Sequence, residues 1–571
     1  MVSRAFRLPR SLWMALTLAM LPMCIQAAQP FQALQTRAQA LQTRASEDTV
    51  LVKFKPGSAA DERRSAHTQA QGNVRKRIES IGVDVVQVPK GSVSAAIALY
   101  SNNPNVVYAE PNYVRPLYFP ATNEGSEPGL GISNNFDQQY GLHNTGQAFG
   151  AVADALGNLI VPAYQATPDA DINAPEGWAA ANNQAEVAVA VIDSGVTCAH
   201  LDLAGKCIEE INFVASHGSG PEDVLGHGTH VAGIIAATTN NGIGIAGVAP
   251  QAKIGAMKVC WEDISLAWLG IIISQCEDAD VASALTYVAD SGLYRVINIS
   301  LAGTEVSSTL GTAIKYAWDQ GLVIIGAAGN AYSSEVYYPA GYDEVIAVGA
   351  TDYHDNLAAY STFGHWVSVL APGTAILSTV PGGACGQPAD DPSDCYDYKS
   401  GTSMAAPHVA GVAAVMAAQY PHLTNAQIRA AIEGSADPIG TLGQNFHAWS
   451  IYGRVNLLAA LNYGSAPIIA ETHSVTAILA ETVNAGKGSK QGRVTVTVRD
   501  NLGHPVNGAV VQGDFDVDSH TSVTQVTDSA GNAVFTSQYS AKGSITFSFC
   551  VTNIASSATS WSETERCVSF P

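Results

Sequence analysis

The sequence predicts an α/β protein: a mostly parallel sheet with helices on both faces, preceded by a small α+β unit and followed by a β-sandwich. Three textures carry that prediction. From about Asn135 to Ala460, continuous apolar runs alternate with Gly/Ala-rich helical stretches, as expected of parallel strands buried on both faces. Residues 48–113 instead mix two helical stretches with three apolar runs. After Gly464, short strands follow one another, separated only by Gly, Asn and Asp turns.

In chain order, Asp48–Lys55 alternates like a strand, and Ser58 can cap a polar helix reaching about Gln71. Val83–Val88 is a second apolar run, Ser92–Tyr100 a second helix and Val106–Ala109 a last strand. Tyr118–Asn134, rich in Pro, Gly and Asn, reads as an exposed linker. The parallel strands are expected at Val187–Ile192, Ile254–Val259, Val296–Ser300, Leu322–Ile325 and Val345–Val348. The helices between them are expected at Val231–Ala237, Asp278–Ala289, Thr309–Gln320 and Ala405–Gln419. The sandwich strands are Val494–Val498, Ala509–Gln512, Val523–Val526, Ala533–Ser537 and Ile545–Cys550.

Of 571 residues, 47% are hydrophobic and only 13% charged, which excludes an intrinsically disordered chain. A net charge of −21 opposes binding to a nucleic-acid polyanion. The charge is divided unevenly: the first 120 residues hold 14 basic and 7 acidic side chains, the remainder 14 and 42. That split fits a basic segment that docks on an acidic body or is later removed; a basic leader plus chance is the plainer alternative. Arg4, Arg7 and Arg10, the apolar stretch from Leu12 to Ile25 and the small pair Ala27–Ala28 read as a secretory signal. The apolar stretch is too short to span a membrane, and no other segment reaches the length without polar breaks. Of nine cysteines, Cys24 lies in the signal. The other eight form close couples, Cys198/Cys207, Cys260/Cys276, Cys385/Cys395 and Cys550/Cys567, simplest as four short-loop disulfides of an oxidising compartment.

Three loci carry chemistry. Asp193 closes an apolar strand in Val-Ala-Val-Ile-Asp-Ser-Gly, His227 opens a helix in Gly-His-Gly-Thr-His-Val-Ala-Gly, and Ser403 sits at a helix start in Ser-Gly-Thr-Ser-Met-Ala-Ala-Pro-His. Hydrolysis by an activated hydroxyl needs a nucleophile, a base for its proton and a carboxylate that fixes the base's tautomer. A helix N-terminus behind Ser403 favours an oxyanion, and Pro407 is expected to fall where N–H groups are unpaired anyway. Any one of 14 histidines alone would be unremarkable.

Together, and in the order Asp, His, Ser, the three motifs resemble subtilisin-like serine proteases (subtilases) over residues 135–460. The resemblance implies Asp193, His227 and Ser403 as the triad, with His230 and His408 structural. It implies Asn330, in Ile325-Gly326-Ala327-Ala328-Gly329-Asn330, as an oxyanion donor beside the Ser403 N–H. Ser300, Leu301, Ala302 and Gly303 match the edge where substrate pairs as an added strand. Gly329 and Tyr337 fall in the walls and floor of the pocket for the residue before the scissile bond. Ala302 and Tyr337 are bulkier than most relatives have there, which implies a shallow pocket preferring small residues. Structural calcium is implied at Asp202 and Asn241, with the carbonyls of Thr239, Ile243 and Ile245; the further ligand the family uses has only Asp137 as a candidate. Residues 48–113 resemble the family's inhibitory propeptide. The last hundred residues resemble bacterial immunoglobulin-like modules through Val-Arg-Asp-Asn-Leu-Gly-His-Pro-Val-Asn-Gly.

The expected organisation is a signal (1–28), a linker (29–47) holding the tandem heptads 32–38 and 39–45, a propeptide (48–117), a catalytic domain (118–465) and an immunoglobulin-like domain (466–571). The product is a secreted, monomeric serine endopeptidase acting on proteins or peptides, made as a self-processed zymogen with its own propeptide as intramolecular inhibitor. Two rivals are weaker. A serine–carboxyl protease would use a Glu base and would not keep the His-Gly-Thr-His locus. An inactive surface adhesin on a protease scaffold is expected to have lost a triad residue or Asn330, and none is lost.

Overall fold

In the computed structural model, the described residues are 43–117, 136–149, 152–153, 159–161, 164–181, 185–214, 217–263, 273–382, 395–439, 449–465, 472–486 and 489–500, with 506, 508–515, 522–528, 531–537, 541–542, 546–555, 560–561 and 566–570. The signal, the heptads up to residue 42, the linker 118–134 and Cys385 lie outside them. Two compact units are present, one of residues 1–425 and 432–461, the other of 426–431 and 462–571.

The first unit opens with β1 (Arg44–Phe54), α1 (Ala60–Gln69), β2 (Asn73–Ile78), β3 (Val83–Gln87), α2 (Val93–Ser101) and β4 (Val106–Leu117). β1 starts at Arg44, so the first strand takes in four residues expected in the linker. Val50, Val52, Phe54, Val86 and Val88 from the strands close over Ala66, Ala96 and Tyr100 from the helices, which forms a separate small core.

Next come β5 (Ala188–Asp193), β6 (Cys207–Asn212), α3 (His227–Ala236), β7 (Lys253–Lys258), β8 (Cys260–Asp263), β9 (Ile273–Glu277), α4 (Asp278–Ser291), β10 (Tyr294–Ile299), α5 (Ser308–Asp319), β11 (Val323–Ala327), β12 (Val345–Thr351), β13 (Val369–Pro372), α6 (Thr402–Gln419) and β14 (Gly453–Arg454). Eight of these strands form one parallel sheet in the order β6-β7-β5-β10-β11-β12-β13-β14, flanked by helices. Val189–Ile192 and Val323–Ile325 are wholly buried, the fate expected of continuous apolar strands covered on both faces. Leu285 of α4 and Leu310 and Ile314 of α5 pack on Ile192, Ile299 and Ile324, and truncating any of them to Ala costs about 2–5 kcal/mol.

A second sheet joins the two halves of this unit. The hairpin β8–β9, stapled by Cys260–Cys276 directly across the strands, continues the amino-terminal sheet as β8-β9-β4-β1-β3-β2, all antiparallel. Carboxyl and amide groups of β4 also cap the helices α4 and α5. Glu110 accepts from Ser308 N (2.8 Å) and Thr309 N (2.7 Å) at the start of α5, and Asn112 Oδ1 accepts from Ala279 N (3.0 Å) at the start of α4. These groups meet N–H donors that a helix cannot satisfy itself, and the carboxylate meets the positive end of the dipole.

The second unit is a β-sandwich. Thr472–Gly486, Ser489–Asp500, Asn532–Thr536, Ala541–Lys542 and Ser560–Trp561 form one sheet; Val510–Phe515, Ser522–Val526, Phe547–Ala555 and Arg566–Phe570 form the other. Val494, Val496, Phe515, Phe547 and Phe549 fill the space between. Cys198–Cys207 and Cys550–Cys567 are bonded as expected, and Cys395 is also in a disulfide.

Candidate active site

The carboxyl ends of parallel strands are where open α/β sheets bind ligands, and Asp193 is the last residue of β5. Its Oδ1 lies 2.7 Å from His227 Nδ1, and both side chains are fully buried. Their approach requires Gly228: a Cβ there would stand 2.0 Å from Gly195 O, so only glycine lets α3 start against the end of β5. Asp223 fixes the same corner. Its carboxylate accepts from Ser194 Oγ (2.8 Å), Gly226 N (2.9 Å) and both Thr229 N (2.8 Å) and Oγ1 (2.6 Å). Burial pushes the Asp223 pKa up, against those bonds, and no motif in the sequence singled this residue out.

Ser403 is the second residue of α6, which packs against α3. Its Oγ donates to Ser300 O (3.1 Å). Pro407 corrects an expectation. It is the sixth residue of α6, beyond the first turn, so its ring removes the helical bond to the carbonyl four residues back, Ser403 O. Ser300 Oγ donates to that carbonyl instead, at 3.1 Å. The edge segment and the serine loop are thereby tied by two reciprocal bonds.

Asn330 is oriented by Thr402, which sequence reasoning also missed. Thr402 N and Oγ1 donate to Asn330 Oδ1 (2.9 and 3.0 Å), and Thr402 Oγ1 accepts from Gly329 N (3.0 Å). The amide nitrogen of Asn330 therefore turns away from Thr402. Ser403, Asn330, Gly329, Ser300, Leu301, Ala302, Gly303 and Tyr337 all line one cavity of about 610 Å³. Thr43 and Pro116 line it too. Along the edge, Gly303 does not offer its backbone to a substrate: its N–H and C=O bond Tyr338 O (2.9 Å) and N (2.8 Å). Among the described residues, no hydrogen bond engages Ala302. The Tyr337 ring packs where a Cβ on Gly329 would be, 3.1 Å from that position.

His230 and His408 are wholly enclosed, and burial drives both pKa values down, that of His408 to about 4. His230 Nε2 bonds Asp397 O (3.0 Å) and His408 Nδ1 bonds Met404 O (2.8 Å), consistent with structural roles.

Away from the cleft, Asp202 is fully buried within a loop that Asn240, Gly242 and Gly244, all left-handed (φ 62, 80 and 55°), curl around it. Its oxygens accept from Asn241 Nδ2 (2.7 Å), Ile245 N (2.8 Å) and Tyr396 Oη (3.0 Å), and burial raises its pKa. Thr239 and Ile243 lie in the same loop, Ile243 N bonding Asn241 Oδ1 (3.2 Å). Asp137 stands in a 3-10 turn whose carbonyl bonds Gln147 (3.3 Å); no described contact brings its carboxylate to Asp202.

Comparison with known proteins gives this architecture its class. The subtilase family model matches residues 184–455, a fervidolysin N-terminal prodomain model matches 32–112, and the chain belongs to the subtilase family. It is 37% identical over 414 residues to the thermophilic serine proteinase of Bacillus sp. (strain AK1), covering 72% of this chain and 87% of that one. Thermitase of Thermoactinomyces vulgaris is 44% identical over 292 residues, 51% of this chain and 94% of thermitase. The crystal structure of fervidolysin from Fervidobacterium pennivorans, a keratinolytic enzyme related to subtilisin, aligns over 92% of this chain and 76% of its own at 26% identity and a TM-score of 0.56. The protein is thus a serine endopeptidase carrying an amino-terminal prodomain.

Proposed function

We propose that Ser403 is the nucleophile, His227 its base, Asp193 the group that fixes the base, and Asn330 with the Ser403 N–H the oxyanion donors. The observation that carries this is the buried 2.7 Å contact between Asp193 Oδ1 and His227 Nδ1 at the start of α3, the helix that packs against α6 with its Ser403. A carboxylate at Nδ1 holds the ring proton there and makes Nε2 the basic nitrogen. As Oγ of Ser403 attacks the scissile carbonyl, it leaves its bond to Ser300 O and passes its proton to Nε2. The C–O bond forms, the carbonyl oxygen takes the negative charge, and the Asn330 amide N–H answers it in a site that Thr402 has already ordered. Collapse expels the amine, which takes the proton from His227 and leaves an acyl-enzyme for water to cleave.

Residues 48–117 act as the inhibitor of this cleft, supported by Pro116 in its wall. The leader and paired cysteines support secretion of a protease that acts on proteins and peptides. Tyr337, packed on Gly329, supports a shallow pocket that prefers small residues before the scissile bond.

The Asp202 loop fits calcium by its donor set: a buried carboxylate contacted only by neutral donors, an amide that presents its oxygen when reversed, and the carbonyls of Thr239, Ile243 and Ile245. Bound there, the ion supplies a crosslink between the loop and the segment after β5, not chemistry.

A serine-directed phosphonyl fluoride tests the assignment. Mass mapping should locate one adduct on Ser403 and activity should fall in step; an active enzyme labelled elsewhere, with Ser403 unmodified, contradicts it.

A further inference from the structure

We infer that the pocket holding Arg115 is a substrate subsite for arginine: with the prosegment gone, Asp278 selects peptides that place an arginine in register with Cys276, upstream of the scissile bond. This deepens the protease reading and rests on it.

Arg115 is a prosegment residue, yet its guanidinium is wholly buried in a wall made by the catalytic part. Nε and Nη2 donate to the two oxygens of Asp278, the latter at 2.9 Å. Nη2 also donates to Glu305 O (2.8 Å) and Nη1 to Tyr338 O (3.3 Å). Four bonds from a planar fork are a recognition geometry that a lysine ammonium cannot reproduce.

Two observations make this pocket part of the substrate path. Arg115 pairs with Cys276 of β9, and its neighbour Pro116, paired with Gln275, already lines the cleft shared with Ser403. The pocket also borders the substrate edge itself, since a Cβ on Gly303 would stand 2.7 Å from Arg115 Nη1. A peptide laid on β9 as an added strand, in the manner of residues 114–117, must aim one side chain into the same place. Removing the prosegment strips Asp278 of its guanidinium partner and leaves a carboxylate in need of one. The chemistry that satisfies it is an arginine side chain.

The test uses the self-processed enzyme with peptides that vary one upstream position at a time among Arg, Lys, Leu and Ala, and casein as a general substrate. At one upstream position kcat/KM for Arg should exceed that for Leu by about tenfold or more, with Lys below Arg, because a site built to pair a polar group rejects analogues lacking it. Asp278→Asn should collapse the Arg-to-Leu ratio towards one. Casein cleavage with no arginine preference at any position overturns the subsite alone, as does a preference that survives Asp278→Asn. Failure to cleave casein or any peptide overturns the protease reading beneath it. The wild-type profile decides the matter by itself if the variant does not fold.

Discussion

Tyr337 is the residue whose size has the sharpest consequence for specificity. Its ring packs against Gly329 in the wall of the cleft, so it occupies volume that a large substrate side chain would need. Forcing Phe into a filled site costs about 1–3 kcal/mol, or about 5–150-fold in rate. Peptides differing only before the scissile bond should therefore be cleaved faster with Ala than with Phe, and Tyr337→Gly should restore Phe cleavage. Phe or Leu beating Ala by about tenfold in the unaltered enzyme would sink the filled pocket. At this scale the site was only partly legible. Asp193, His227, Ser403 and Asn330 announce themselves through local motifs. Thr402 and Asp223 do not, because their work is to hold other groups still, and that is visible only once distant segments are packed.

Two elements should respond to solution conditions. If the Asp202 loop binds calcium, a ligand at a hundredfold its dissociation constant adds about 2.7 kcal/mol to native stability. Chelator should then lower the melting temperature and hasten self-digestion, and Asp202→Ala should abolish that sensitivity; superimposable melting curves would leave the loop metal-free. The start of α4 should respond to pH. His217 stacks on Trp261 at 3.9 Å and faces Asp280 and Glu277 at 3.7 Å each, which raise its pKa from 6.5 to about 9. The same carboxylates receive Lys76 Nζ (2.7 Å) and Asn112 Nδ2 (2.8 Å) from the prosegment. A histidine whose folded pKa is raised stabilises fully below its unfolded value, and that contribution is lost as pH climbs towards about 9. The unprocessed chain should lose melting temperature between pH 6.5 and 9.5, and His217→Gln should flatten that slope; an equal slope in both proteins refutes the role. The central strands were readable because uninterrupted apolar runs mean burial on both faces. β2 was not, since Asn73–Ile78 carries Arg75, Lys76 and Arg77 and exposes half of its length. β14, two residues long, is too short for any period to register.

At the scale of the whole chain, the charge split has a structural counterpart. The basic prosegment lends β4 to the β8–β9 hairpin, caps α4 and α5, and inserts Arg115 beside Asp278. Glu110 and the helix start it caps are about 200 residues apart in sequence, which is why composition hinted at docking but could not say where. By the catalytic assignment above, this chain should cut itself free of that prosegment with Ser403. The direct measurement is intact mass and amino-terminal sequence of purified wild type beside Ser403→Ala, each prepared without other proteases. Wild type should lose the prosegment and Ser403→Ala should keep it whole; release of the prosegment from pure Ser403→Ala at the wild-type rate would contradict the assignment.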